Sequence, residues 1–180
     1  SDAMSMEIFA AADSLCYYAK NAQKFLRTRK ERVHGLLGIV KQLRIVYRPL
    51  GVIGIITPWN GPFVHGLNPS VQALMAGNTV VLKGSEVTPY STRLVEDVFR
   101  EAGLPPGVLQ VLMGDGQTGA YLTEAGVDKI AFTGSVRTGR LIAETCGRQL
   151  IPCTLELGGK DAMIVCDDAD LDRAAAGAIV

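Results

Sequence analysis

Three features of the chain predict an open, doubly wound α/β sheet of parallel strands. Short continuous apolar runs, Val52-Ile53-Gly54-Ile55-Ile56-Thr57 and Thr79-Val80-Val81-Leu82, read as strands covered on both faces. These runs alternate with amphipathic stretches of helical length. Polar and glycine residues collect just after the strands, where sheets of this class receive ligands. We therefore divide the chain into 1–50, a helix and strand segment packing on or extending from the sheet, and 51–180, the sheet domain itself.

The elements follow in order. Met6 to Leu26 has helical spacing, with Lys20, Lys24 and Arg27 near its C-terminal end, where cations suit the macrodipole. Arg27 to Gly35 is a basic run and reads as a solvated link. Leu43 to Tyr47 is half alternating and β-branched, which predicts a strand. Pro58 ends the first apolar run. Val71 to Met75 reads as helix, closed by Ala76-Gly77-Asn78. Tyr90 to Ala102 is a helix closed by Gly103 and Pro105. Val108 to Leu112 is a strand, Thr118 to Ala125 a helix, Lys129 to Phe132 a strand and Val136 to Cys146 a helix. Cys153 to Leu157 and Ala162 to Val165 read as strands, and Asp170 to Val180 as a final helix.

Composition narrows the function. The chain has 180 residues, 48% hydrophobic and 20% charged, with formal net charge zero, as an ordinary globular chain has. Without a basic excess there are no counterions to release, which argues against nucleic acid and anionic membrane. No apolar run approaches a spanning length. The four cysteines lack C-x-x-C or metal spacing, so no metal site is predicted and reduced thiols in the cytoplasm are the default.

Five places at the ends of predicted strands should share one sheet edge: Thr57-Pro58-Trp59-Asn60, Lys83-Gly84-Ser85-Glu86, Gly114-Asp115-Gly116, Thr133-Gly134-Ser135, and Glu156. Gly114 to Gly119 fits G-x-G-x-x-G, but no acidic residue stands about twenty positions on in the ribose role. It is either a glycine-rich turn or a cofactor contact. Gly134 to Gly139 has Arg140 where a phosphate-binding loop requires Lys, which excludes an ATP-type site. Thr133-Gly134-Ser135 still opens a helix with bare amides and a hydroxyl, suited to an anion. Thr154-Leu155-Glu156-Leu157-Gly158-Gly159-Lys160 reads as a buried strand that carries one carboxylate to a glycine-lined gap. Glu156 there either pairs with Lys160 or an arginine, or is kept for proton chemistry.

Pro58-Trp59-Asn60, Lys83-Gly84-Ser85-Glu86, Phe132-Thr133-Gly134-Ser135 and Glu156-Leu157-Gly158-Gly159-Lys160, in that order, resemble the aldehyde dehydrogenase superfamily. Gly77 to Lys83, Ala102 to Gly107 and Tyr17-Tyr18-Ala19 agree with it. The resemblance implies a Rossmann-like, dinucleotide-binding domain at 51–180, cut before the catalytic domain. It also implies oxidation of an aldehyde to an acid with NAD, NADP being possible, through a cysteine thioester. Asn60 then matches the amide that meets the oxyanion, and Glu156 the base that activates water. Lys83 and Glu86 match the ribose-binding pair, with Glu86 disfavouring a 2′-phosphate. Ser85 belongs to the same loop. Phe132, Thr133, Gly134 and Ser135 match the pyrophosphate end. Ile56, Thr57, Pro58 and Trp59 match the wall beside the cofactor, Gly116 a glycine near the adenine, and Leu157 and Gly158 the stretch after the base. None of the four cysteines fits the nucleophile, which the resemblance puts beyond Val180. Gly84 stands where the family has proline, which should loosen that loop. The helix after Asn60 would place His65 and Asn68 by the aldehyde tunnel, favouring a polar or aromatic aldehyde. The full-length protein is expected to be a homo-oligomer. The alternative is a non-catalytic nucleotide-binding or structural module, if 180 residues are the whole protein.

Overall fold

A computed structural model describes residues 3–179. Its centre is a five-stranded parallel sheet of β3 (Val52–Ile56), β4 (Thr79–Lys83), β5 (Leu109–Leu112), β6 (Lys129–Gly134) and β7 (Cys153–Leu157). Their order is β5-β4-β3-β6-β7. The chain winds outward from β3 through α3 (Pro62–Met75), β4 and α4 (Pro89–Glu101) to β5. It then returns through α5 (Gly116–Glu124) to pair β6 on the other side of β3, and continues through α6 (Val136–Gln149) to β7. That reversal creates a switch point between β3 and β6, where the carboxyl ends of the strands leave a crevice.

Side-chain alternation sorts two cores onto the two faces of the sheet. Ile53 and Ile55 of β3, with Val80 and Leu82 of β4, pack against Phe63, Leu67 and Val95 of α3 and α4. Ile56 of β3, with Ile130 and Phe132 of β6, packs against Leu122, Val127, Ile142 and Cys146. Gly54 is required in the second layer, because a Cβ there would lie 2.7 Å from Cδ1 of Ile130.

The N-terminal segment joins the first face. Ala3–Phe9 winds as a π-helix and runs into α1 (Ala10–Leu26), whose Ala11 is 2% exposed in the core beside α3. The basic run is not a bare link. Arg29–Glu31 forms β1, antiparallel to β2 (Leu43–Ile45), with the short helix α2 (Leu37–Val40) between them. Arg29 donates to the Tyr47 hydroxyl at 2.8 Å, so part of the run's charge is spent on its own hairpin. The strand predicted to Tyr47 ends at Ile45. Asn78 clips the segment to the sheet: its Oδ1 accepts from Leu50 N at 2.6 Å and Gly51 N at 3.1 Å, and its Nδ2 donates to Ala73 O at 2.9 Å.

Three readings are corrected. α3 starts at Pro62, not Val71, and runs through Pro69. Pro62 suits a first turn, and burial of Phe63, Leu67 and Ser70 on one stripe offsets the N–H that Pro69 lacks. Ala162–Val165 is not a strand; no neighbour pairs it, and Met163, Ile164 and Val165 are exposed. β7 is an edge strand of partial burial, not a fully buried one. Strand β6 reaches Gly134 and α6 reaches Gln149, slightly beyond the predicted ends. The last helix, α7 (Leu171–Gly177), is capped by Asp170, which accepts from Arg173 N; Val180, predicted to lie in it, is outside the described residues.

Candidate active site

The parallel register brings the loop residues to one edge. Ile56 pairs with Lys83 on one side and Phe132 on the other, and Thr133 with Glu156. Asn60 follows β3 on the same edge. One cavity opens there, and a second runs along the opposite face of the sheet from the amino ends of β3 and β6 and reaches the edge at Phe132, Thr133 and Glu156.

The first, of about 360 Å³, lies on the α5 and α6 face. Twelve predicted residues line it: Ile56, Thr57, Pro58, Trp59, Lys83, Ser85, Glu86, Gly116, Phe132, Thr133, Gly134 and Ser135. Lys83 is only 4% exposed, so its ammonium needs partners; among the described residues it has one, Glu86 Oε2 at 3.5 Å. Thr57 is 5% exposed and its hydroxyl has no partner among the described residues. Gly84 is buried on Thr92, whose side chain fills the room a Cβ would need.

Two helices begin at this groove with different caps. At α5, Asp115 accepts from Gln117 N at 3.0 Å and Thr118 N at 3.3 Å. Its carboxylate occupies the amides that a G-x-G-x-x-G loop would offer an anion. Gly114, at φ 149°, makes the turn and leaves room for Thr118. At α6 the cap is the neutral Ser135, whose Oγ accepts from Thr138 N at 3.2 Å. The positive end of α6 is therefore free to receive a negative group.

Four predicted residues lie outside the groove: Glu156, described with the second cavity below, and Leu157, Gly158 and Asn60. Leu157 turns onto Gly139, and Gly158 bonds through its N–H to Gly134 O at 3.2 Å. Asn60 is exposed on the turn between β3 and α3 and lines neither cavity. Sequence reasoning missed the helix side of the groove, including Gly119, Thr123, Thr138 and Thr145. Their signal was helical spacing of small and hydroxyl residues along α5 and α6.

The second cavity, of about 610 Å³, lies on the α3 face. Glu156 lines it with Thr154, because alternation in β7 sends both to this side. His65 and Asn68 of α3 line it too. Glu156 is exposed and has no hydrogen bond or ion pair among the described residues, so neither Lys160 nor an arginine holds it. Asn68 Oδ1 is buried without a partner. Phe132 and Thr133 line both cavities, so the two meet at the carboxyl end of β6.

No thiol in the chain is placed as a nucleophile at this junction. Burial, and then the neighbouring Cys153, push Cys146 from 9.0 up to about 11. Cys153 packs into the same layer, and Cys16 and Cys166 are exposed and line neither cavity. Among the described residues no cluster of three His, Cys, Asp or Glu could hold a metal, and no helix is long and apolar enough to cross a membrane.

Comparison with known proteins agrees with this architecture. A Bacillus cereus aldehyde dehydrogenase, solved as its NAD+ complex, superposes with a TM-score of 0.87 at 36% identity, over 98% of this chain and 35% of that one. A 4,4'-diapolycopene aldehyde oxidase of Methylomonas sp is 44% identical over 99% of this chain and 34% of its own length. The mitochondrial benzaldehyde dehydrogenase of Antirrhinum majus is 45% identical over 80% of this chain and 28% of its own. The chain thus spans about a third of the length of the relatives it matches. The model of the aldehyde dehydrogenase family matches residues 1–180, and the chain belongs to that family of oxidoreductases.

Proposed function

We propose that the chain is the cofactor-binding portion of an enzyme that oxidises an aldehyde to a carboxylic acid with NAD. The observation that carries this reading is the meeting of the two cavities at Phe132 and Thr133. One side offers a dinucleotide groove and the other a free carboxylate.

A nicotinamide dinucleotide fits the first cavity. Thr57 Oγ1 is buried without a partner, Lys83 has unused donors, and α6 presents an uncharged cap. Lys83 and Glu86 would hold ribose hydroxyls, and Ser135 with the amides that follow it would hold the pyrophosphate. Glu86 favours NAD over NADP, because a carboxylate beside a 2′-phosphate juxtaposes like charges. When bound, the nicotinamide accepts the hydride of the aldehyde carbon.

The protein's own groups do the rest. A cysteine thiolate from outside residues 1–180 adds to the carbonyl, and the Asn60 amide stabilises the resulting oxyanion. Loss of hydride leaves a thioester. Glu156 takes a proton from the water that attacks it, which frees the acid and returns the thiolate. Relatives that release the thioester to a thiol have no need of a water activator, so Glu156 favours the hydrolytic outcome.

His65 and Asn68 beside Glu156 favour an aldehyde carrying a polar or aromatic group, since Asn68 Oδ1 lacks a protein partner. Benzaldehyde stands in the name of the Antirrhinum relative. We place the protein in the cytoplasm, as its free cysteines suit. We also propose a homo-oligomer, which would cover Leu36, Ile39 and Val40, all more than two-thirds exposed. A panel of aldehydes with the complete protein tests the substrate reading. Functionalised and aromatic aldehydes should have the higher kcat/KM, and His65→Leu should erode that preference. If plain alkanals rank first in both proteins, the polar-tunnel reading fails. Residues 1–180 alone should show no aldehyde-dependent NADH formation. Turnover by that piece would refute the external nucleophile.

A further inference from the structure

Gly61 is the N-cap of α3 and has no side-chain oxygen with which to cap it. A Cβ there would lie 2.8 Å from Cδ2 and 3.0 Å from Nε2 of His65, so a larger residue would need the imidazole to move. Pro62, next in line, has no N–H. The first amides of α3 that need an acceptor are therefore those of Phe63 and Val64. One carboxylate oxygen meets both. Phe63 N donates to Glu7 Oε2 at 2.8 Å and Val64 N to the same atom at 3.4 Å. Glu7 comes from the π-helical segment, 56 residues before Phe63. Its charge sits at the positive end of a 14-residue helix, where an anion is stabilised.

This cap governs a turn that has little else to hold it. Thr57 is tied to the sheet, its N–H bonded to Lys83 O at 3.1 Å. Gly61 is tied to α3 through His65 N at 2.9 Å. Between them, Pro58, Trp59 and Asn60 make no hydrogen bond among the described residues. Where Asn60 lies thus depends on where α3 begins. We propose that Glu7 is a positioning residue for Asn60: by capping α3 across the chain it fixes the turn that presents the Asn60 amide. The proposal rests on the reading of Asn60 as the oxyanion amide.

The test uses Glu7→Ala and Glu7→Gln in the complete protein. Glu7→Gln keeps an acceptor oxygen, whereas Glu7→Ala removes it. Hydrogen exchange at the Phe63 and Val64 amides should quicken in Glu7→Ala and stay slow in Glu7→Gln. Glu7→Ala should lower kcat by roughly tenfold to a hundredfold, the scale of a small misplacement of a catalytic group. NAD affinity should fall far less than kcat, because Pro58 and Trp59 are the groove residues on this turn while the α6 and β4 contacts are untouched. Glu7→Gln should recover most of the rate. Unchanged exchange in Glu7→Ala would overturn the cap, and quickened exchange with parental kcat would overturn the positioning role. A rate loss matched by an equal loss of NAD affinity, and not recovered by Glu7→Gln, would mean general disruption and would also overturn it. If the parent oxidises no aldehyde, the functional reading fails by itself, and the exchange arm still decides whether Glu7 holds α3.

Discussion

The two cavities at the carboxyl edge are built on opposite principles. On the α5 and α6 face most polar groups already have a protein partner, Thr57 Oγ1 being an exception. Asp115 and Ser135 hold their helix starts, and Lys83 leans on Glu86. On the α3 face the polar groups are unengaged: Glu156 has no partner among the described residues and Asn68 Oδ1 is orphaned. A surface that recognises a fixed ligand gains from such preorganisation. A group that must take up and give back a proton gains from being free to move. On the proposed function, the difference suits one face of the sheet to binding and the other to turnover.

The largest expected effect tests the turnover face. Glu156→Gln in the complete protein should slow thioester hydrolysis by about two to four orders of magnitude, the range for a lost general base. Thioester formation should change far less, so a burst of NADH should precede a slow steady state. Affinity for NAD should be unaltered, because Glu156 lies outside the groove. An undiminished steady-state rate would erase the division between the faces.

Ser135→Asp tests the binding face by giving α6 the kind of cap that α5 has. A second carboxylate at the pyrophosphate would place like charges together, at a cost of several kcal/mol. We expect NAD affinity to fall by about a hundredfold in titration calorimetry, with the helix itself still capped. Parental affinity would show that α6 does not receive the pyrophosphate and that the contrast between the two caps has no function.

The binding face was also the more legible one. Its residues follow buried parallel strands, and each strand announces its end with a change from apolar to polar, as at Ile56-Thr57 and Leu82-Lys83. Leu157 shares the face of the groove by alternation, yet its side chain packs onto Gly139 of α6 and does not line the cavity. The turnover face is assembled from distant pieces. Leu26, Tyr47 and Leu50 border it, yet nothing local marks them. The cap of α3 by Glu7 was equally hidden, since it joins residues 56 apart. Ala162–Val165 misled in another way: apolar, β-branched residues describe what a strand can be made of, not whether a neighbour is there to pair with it.

Glu86→Gln should sharpen the account of the groove. Removing the carboxylate removes the like-charge conflict with a 2′-phosphate, and the NAD-to-NADP affinity ratio should fall by about tenfold. The change should shrink as salt is added, because the Glu86 side chain is 56% exposed and screened. A ratio unaffected at low salt would show that Glu86 turns away from the ribose.

The smallest effect concerns the dryness of the binding face. Cys146 is 1% exposed on the buried side of α6 and its thiol is held at about 11, against an ordinary 9.0. Well below pH 9 the thiol is neutral in both the folded and the unfolded chain, and it has no influence on the pH dependence of stability. Between about 9 and about 11 the unfolded chain loses this proton while the folded chain keeps it. Stability therefore declines as pH rises through that window. Replacing Cys146 with Ala should flatten this part of the curve, at a small packing cost that is the same at every pH. In the native protein iodoacetamide should modify the exposed Cys16 and Cys166 first and leave Cys146 intact until the chain unfolds. Early alkylation of Cys146 would mean that the layer between α6 and β7 admits solvent. The groove would then lack the rigid floor that separates it from the open cavity across the sheet.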